Sequence, residues 1–143
     1  MPNHRFILIL DDELDIVSII KQSLHRNGFR NIFAFTEPSL ALEHFQINSK
    51  SYGLVISDIR MPGMTGFEFV RRVKDLNFEV RIVFMSAFDM NDIDFSKVLP
   101  SSIKIDGFIR KPFLSSELLK LINKQLNDIG EESLNRTSDY KQY

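Results

Sequence analysis

Phe6-Ile-Leu-Ile-Leu10, broken at once by Asp11-Asp12-Glu13, is the stretch from which the fold can be read. An unbroken apolar run of this length predicts a strand covered on both faces, because a strand with one wet face alternates. Residues 13–27 then space Ile16, Val17, Ile20 and Leu24 along one helix face, and Gly28 is placed to end that helix. The same unit recurs down the chain. Asn31-Ile-Phe-Ala-Phe35 predicts a second strand, followed by a helix from Pro38 through Ala41, Leu42 and Phe45. Leu54-Val-Ile56 predicts a third, introduced by Gly53. After the loop Met61-Pro-Gly-Met-Thr-Gly66, Thr65 and Glu68 fit a capping box for a helix carrying Phe67, Val70 and Val73. Arg81-Ile-Val-Phe-Met85 predicts a fourth strand, with a weaker helix over 89–99 ahead of Pro100. Asp106-Gly-Phe-Ile109 predicts the fifth, and Leu118, Ile122, Leu126 and Ile129 a last amphipathic helix. Five β–α units in series predict an α/β fold built on a doubly wound, five-stranded parallel sheet with helices on both faces.

Composition narrows the function. The chain has 143 residues, which favours one domain, and it is 43% hydrophobic and 26% charged, as soluble proteins are. It has no Cys, which excludes disulfide scaffolds, Cys-ligated zinc, iron–sulfur clusters and thiol catalysis. No apolar run approaches the roughly 20 residues needed to span a bilayer. The start of the chain lacks a signal-peptide core, so a cytoplasmic location is expected. Eighteen basic against nineteen acidic residues do not point to nucleic acid or an anionic membrane. Residues 1–128 are expected to form the domain, and residues 129–143, polar and poor in aliphatics, a flexible tail.

In an open parallel sheet, ligands bind beyond the carboxyl ends of the strands, near the point where strand order reverses. Those ends carry Asp11-Asp12 and then Glu13 on strand one, Ser57-Asp58 on strand three, Met85-Ser86-Ala87 on strand four and Arg110-Lys111-Pro112 on strand five. Three carboxylates, a hydroxyl and an ammonium are therefore expected at one edge. Carboxylates that close raise one another's pKa unless a cation lies among them. An all-oxygen set suits Mg²⁺, which takes one or two carboxylates, a carbonyl, waters and phosphate oxygens. No His stands at a strand end, which disfavours zinc and a Ser-His-Asp hydrolase.

The acidic pair Asp11-Asp12, Asp58 in Ser57-Asp-Ile-Arg-Met-Pro-Gly-Met-Thr-Gly66, Ser86 in Met85-Ser-Ala87, Phe108, and Lys111-Pro112-Phe113 occur in the order seen in one family. Over residues 4–128 the chain resembles the receiver domain of two-component response regulators. The resemblance implies a flavodoxin-like fold with strand order 2-1-3-4-5. It implies that Asp58 accepts a phosphoryl group from a histidine kinase or a histidine phosphotransfer protein. Asp11, Asp12, Asp58 and the backbone carbonyl of Arg60 would hold Mg²⁺, or Mn²⁺ in its place, Asp12 directly and Asp11 mainly through water. Lys111 would pair with one phosphoryl oxygen and Ser86 with another, and Phe108 would be the switch aromatic. The surface made by helix four, strand five and helix five would change with it. Arg60, two residues after Asp58, and Phe88, two after Ser86, occupy positions that in the family control access of the attacking water. Phe88 has no group to orient water and Arg60 could pair with the phosphoryl group, which implies slow autodephosphorylation. The chain would then be a stand-alone signalling phosphoacceptor, not an enzyme beyond its own phosphorylation and dephosphorylation. Its partners would be the phosphodonor and an unknown downstream protein, with no direct nucleic-acid contact. It would be a monomer or a weak, phosphorylation-linked dimer.

Each residue also has an ordinary reading. Asp11-Asp12-Glu13 could cap the first helix, Asp58 could form a turn, Ser86 could bond backbone, and Phe108 could be core. His4, His25 and His44 read as surface or helix-end residues, and Arg71-Arg72-Lys74 as a solvated helix face. The 88–106 segment departs from the family: Pro100-Ser101-Ser102 interrupts it where an Ala-rich helix four is usual. Helix four is therefore expected to be short or mobile and the switch surface remodelled. Three rivals stand beside the receiver. A degenerate receiver would bind partners without phosphorylation. A haloacid dehalogenase-type phosphohydrolase wants a second acid where Arg60 stands, and a flavodoxin-like electron carrier wants a Ser/Thr/Gly-rich loop after strand one.

Overall fold

The computed structural model describes residues 5–140, with Met90 and residues 128–140 described in backbone only. His4 and residues 141–143 of the expected tail lie outside the described residues. The strands are β1 (Phe6–Leu10), β2 (Ile32–Phe35), β3 (Tyr52–Asp58), β4 (Arg81–Ser86) and β5 (Gly107–Arg110). The helices are α1 (Leu14–Arg26), α2 (Pro38–Ile47), α3 (Gly66–Leu76), α4 (Phe95–Val98) and α5 (Ser115–Tyr140). All four strand pairings are parallel and the order is β2-β1-β3-β4-β5. The order reverses between β1 and β3, so their carboxyl ends border the crevice of a doubly wound sheet.

The continuous apolar run of β1 serves two cores at once. Ile7 and Ile9 pack with Val17, Ile20, Leu118 and Ile122 on one side, and Leu8 and Leu10 pack with Phe45, Phe69 and Val70 on the other. That two-sided burial is why the run does not alternate. The helix starts separate cap from non-cap acids. Thr65 Oγ1 accepts the Glu68 N–H at 3.2 Å, as the capping signature predicts. Glu13 holds the N-cap position of α1 without a side-chain cap bond.

Three expectations are revised. The weak helix over 89–99 is reduced to a 3₁₀ turn at Met90–Asp92 and the single turn of α4. Asp89 Oδ1 accepts the Asn91 N–H at 3.0 Å, a local bond that competes with helix formation, while Asp94 Oδ1 caps the single turn of α4 by accepting the Ser96 N–H at 3.1 Å. Lys74 is not part of a solvated face. It is buried, its Nζ donates to the carbonyls of Phe78 at 3.0 Å and Val80 at 2.8 Å, and burial pushes its pKa down. His44 lies in the last turn of α2 but is half-buried, stacked 4.4 Å from Phe33, with Nδ1 2.7 Å from the hydroxyl of the fully buried Tyr52. Helix α5 runs from Ser115 through Tyr140, across the position expected to separate domain from tail. That stretch is polar but contains no Pro to stop a helix. No helix among the described residues is long and apolar enough to cross a membrane.

Strand β5 is short because a side chain takes over its ladder. Asp106 precedes the strand; its Oδ2 accepts the Ile82 N–H at 2.8 Å, and its own N–H donates to the Ile82 carbonyl at 2.8 Å. Asp106→Ala leaves the N–H of fully buried Ile82 unpaired and is expected to lower stability by about 1–3 kcal/mol. Urea denaturation checks this, and Asp106→Asn, which keeps an acceptor, is expected to recover most of the loss.

Candidate functional site: an acid and lysine pocket

The carboxyl ends of β1, β3 and β5 bring their polar residues together. Asp11 is fully buried at the end of β1, where its Oδ1 accepts the Glu13 N–H at 2.9 Å. Asp58 ends β3 and is also buried; its Oδ1 accepts the Ile59 N–H at 2.9 Å. The Lys111 ammonium lies between them, donating to Asp11 Oδ2 and, at 3.2 Å, to Asp58 Oδ2. Asp12 is exposed beside the pair. Carboxylate oxygens of Asp11, Asp12 and Asp58 lie within 4.8 Å of one another, close enough to share one cation.

Electrostatics follow from that crowding. Burial first, and the Asp11 charge second, push the Asp58 carboxyl above its ordinary range, against the pull of Lys111 and the Ile59 N–H. For Lys111, burial alone would depress the ammonium, but the hydrogen bonds and charges of Asp11 and Asp58 outweigh it and raise its pKa. A pocket of three carboxylates around one ammonium carries excess negative charge. An all-oxygen donor set in that state fits a hard divalent cation such as Mg²⁺.

Backbone contacts fix the geometry. The Lys111 N–H donates to the Ser86 carbonyl at 2.8 Å, tying the end of β5 to the end of β4. Ser86 is buried, and its Oγ accepts the Phe88 N–H at 2.9 Å. Arg60 and Phe88 meet: the guanidinium carbon lies 3.9 Å from the centre of the Phe88 ring. Phe108 is set apart, half-buried against Phe84 at 6.2 Å and Phe95 at 5.3 Å. The structure thus joins Asp11, Asp12, Asp58 and Lys111 in one cluster. It pairs Arg60 with Phe88, and it leaves Ser86 and Phe108 on neighbouring elements.

One residue at the site escaped the sequence reading. Gly66 opens α3, and its N–H donates to the Ile59 carbonyl at 2.8 Å. A Cβ there would lie 2.2 Å from the Asp58 carbonyl oxygen and 3.0 Å from the Ile59 Cα. Only a residue without a side chain lets the helix approach the loop behind Asp58 this closely. The Thr65-Gly66 pair reads as an ordinary helix start, and the clash comes from a chain segment eight residues earlier.

Strand order and pocket together define a doubly wound α/β domain with an acid and lysine cluster at its switch point. Comparison with known proteins is specific. The model of the response regulator receiver domain matches residues 7–123, and the chain belongs to that family. The chemotaxis protein CheY of Bacillus subtilis is 32% identical over 124 residues, which cover 87% of this chain and 98% of that protein. The transcriptional regulatory protein YvrH of the same organism is 32% identical over 137 residues, covering 94% of this chain but 55% of that protein. The chain thus spans nearly all of one relative and about half of the other. A receiver domain protein from Clostridium thermocellum superposes with a TM-score of 0.76 at 24% identity, covering 88% of this chain and 97% of that one. Membership makes this a signalling domain of two-component type. Receiver domains generally bind Mg²⁺ at an acidic cluster such as Asp11, Asp12 and Asp58.

Gly66→Ala is expected to lower stability by about 1–3 kcal/mol through overpacking. Its largest amide shift changes should fall at Asp58 and Ile59 in a nitrogen–proton correlation spectrum. Shifts confined to α3 would show that the loop behind Asp58 does not depend on this contact.

Proposed function

We propose that Asp58 is the phosphoacceptor of a signalling receiver, taking its phosphoryl group from a histidine kinase or a histidine phosphotransfer protein. The observation that carries this is the shared ammonium: Lys111 donates to both Asp11 and Asp58, beside a third carboxylate on Asp12. A structural ion pair needs one carboxylate for one lysine, and the surplus acids are what a phosphoryl-transfer site needs.

In the proposed reaction an Asp58 carboxylate oxygen attacks the phosphorus of the donor's phosphoryl group. The bond from phosphorus to the donor nitrogen breaks, and the electron pair leaves with the imidazole. Phosphoryl transfer asks for positioning and charge neutralisation more than covalent help. The Ile59 N–H holds the Asp58 side chain, leaving its other oxygen to the Lys111 side. Lys111 follows the charge from the carboxylate to the phosphoryl oxygens. Asp11, Asp12, Asp58 and the Arg60 carbonyl would hold Mg²⁺, which supplies countercharge to those oxygens when bound. The Ser86 hydroxyl, now only an acceptor for the Phe88 N–H, retains its proton for a phosphoryl oxygen. The new charge draws Ser86 inward, Phe108 turns, and the surface of α4, β5 and α5 changes for a downstream protein. In this reading residues 1–128 are the working unit, located in the cytoplasm, and the only chemistry is on the domain itself.

Intact-protein mass after incubation with Mg²⁺ and acetyl phosphate tests the reading. One phosphoryl adduct is expected, and it should be absent from Asp58→Asn and from a sample treated with EDTA. No adduct in any sample would replace this reading with that of a receiver that binds partners without phosphorylation.

Arg60 stacks on Phe88, at the positions that in the family control access of the attacking water, and neither group can take a proton from water. Slow autodephosphorylation is expected from it. Phe88→Glu removes the ring and adds a proton acceptor, and should raise the rate of phosphate loss by about tenfold, short of the roughly 10²-fold or more given by a fully positioned base. An unchanged rate, read from decay of the adduct mass, would show that the stack does not govern water.

A further inference from the structure

The peptide unit that joins Asp58 to Ile59 is held at both ends. Its N–H donates to Asp58 Oδ1 at 2.9 Å. Its carbonyl accepts the hydroxyl of Ser57 at 2.8 Å. The same carbonyl oxygen marks the closest approach of α3, since a Cβ on Gly66 would strike it. The next carbonyl along, that of Ile59, accepts the Gly66 N–H at 2.8 Å. Ser57 and α3 thus fix the orientation of the one backbone group that holds the Asp58 carboxylate.

Packing gives Ser57 no reason to be polar. It is fully buried in a strand that is buried along its whole length, paired with Leu10 of β1 and Phe84 of β4. Val55, two residues earlier and on the same face, belongs to the core beneath α2 and α3. A hydroxyl in such a place costs free energy that a methyl group would not, unless it is bonded. Its bond runs to the residue beside it, so it does not tie one element to another. Its effect is on the Asp58–Ile59 peptide. The ring closed by the Ile59 N–H on Asp58 Oδ1 spans a single residue, and rotation about the Asp58 Cα–C bond opens it. That rotation also carries the carbonyl away from the Ser57 hydroxyl, so the second bond resists the opening of the first. A carbonyl that accepts a hydrogen bond polarises its peptide and makes the N–H a stronger donor.

We propose that Ser57 is a positioning residue for phosphoryl transfer: through the Asp58–Ile59 peptide it sets the rotamer in which the Asp58 carboxylate meets the phosphorus. The inference rests on the receiver reading and adds a residue to it. With Oδ1 held by the Ile59 N–H, Oδ2 is turned to Lys111 at 3.2 Å. Without the hydroxyl the peptide tilts, the hold on Oδ1 loosens, and the carboxylate samples orientations from which attack is not in line. Transfer that depends on placement slows accordingly.

The rate of adduct formation on the full chain, followed by intact mass with Mg²⁺ and acetyl phosphate, tests this. Ser57→Ala is expected to react about tenfold more slowly than the wild type. Ser57→Cys keeps a side chain of similar shape but only a weak donor, and should be slow as well. Ser57→Thr, which keeps the hydroxyl, should recover most of the rate. Before any donor is added, the Ile59 amide proton should move upfield in Ser57→Ala and Ser57→Cys and return in Ser57→Thr. A nitrogen–proton correlation spectrum reads this, and a loss of packing alone would not single out that amide. Equal rates in Ser57→Ala and Ser57→Thr overturn the proposal and leave the receiver reading standing. So does a slow Ser57→Ala whose Ile59 amide has not moved. Absence of the adduct in the wild type overturns the receiver reading, and the proposal with it.

Discussion

Two buried carboxylates share one ammonium, and the rest of the site is arranged around that fact. Asp11 and Asp58 stand at the ends of adjacent strands, away from water, where like charges repel strongly. Lys111 arrives from the far edge of the sheet and touches both. Stranding one member of a buried pair generally costs about 3–5 kcal/mol, and here two acids depend on one lysine. The arrangement holds only while β1, β3 and β5 keep their mutual register. The bond from the Lys111 N–H to the Ser86 carbonyl maintains the last of these, through β4. Folding and the charge state of the pocket are therefore one problem, and a cation among the acids would lower the repulsion that the sheet otherwise holds in place.

The same pocket explains why the loops around it are shaped as they are. The Ile59 N–H turns one Asp58 oxygen away from the lysine. The close approach of α3 at Gly66 clamps the backbone on which that N–H sits. Arg60 reaches across to Phe88, so the segments after β3 and after β4 meet through two side chains.

Much of this was legible in the sequence. The five strands, their parallel pairing and the convergence of Asp11, Asp12, Asp58 and Lys111 follow from apolar runs that end in charged residues, since a parallel sheet puts every such end on one edge. What was not legible involves contacts across long stretches of chain. Lys74 reads as a surface cation because Arg71 and Arg72 precede it; its burial depends on carbonyls presented by the turn into β4. His44 reads as a helix-end residue, and its partner is a tyrosine on β3. The shortening of helix four was visible in outline, because Pro100-Ser101-Ser102 interrupts the segment where an Ala-rich helix is usual. That four aromatic rings would meet beside it was not, because Phe67, Phe84, Phe95 and Phe108 come from four different elements.

The margins of the sheet bear on how copies of this domain can meet. Both edge strands, β2 and β5, are four residues long, while the central β3 has seven. A short edge offers few free backbone groups, and an incoming strand could make only a handful of ladder bonds before running off the end. Arg110 adds a charge at one of these margins. Sheet extension from chain to chain, the route to swapped and fibrillar forms, is thereby discouraged.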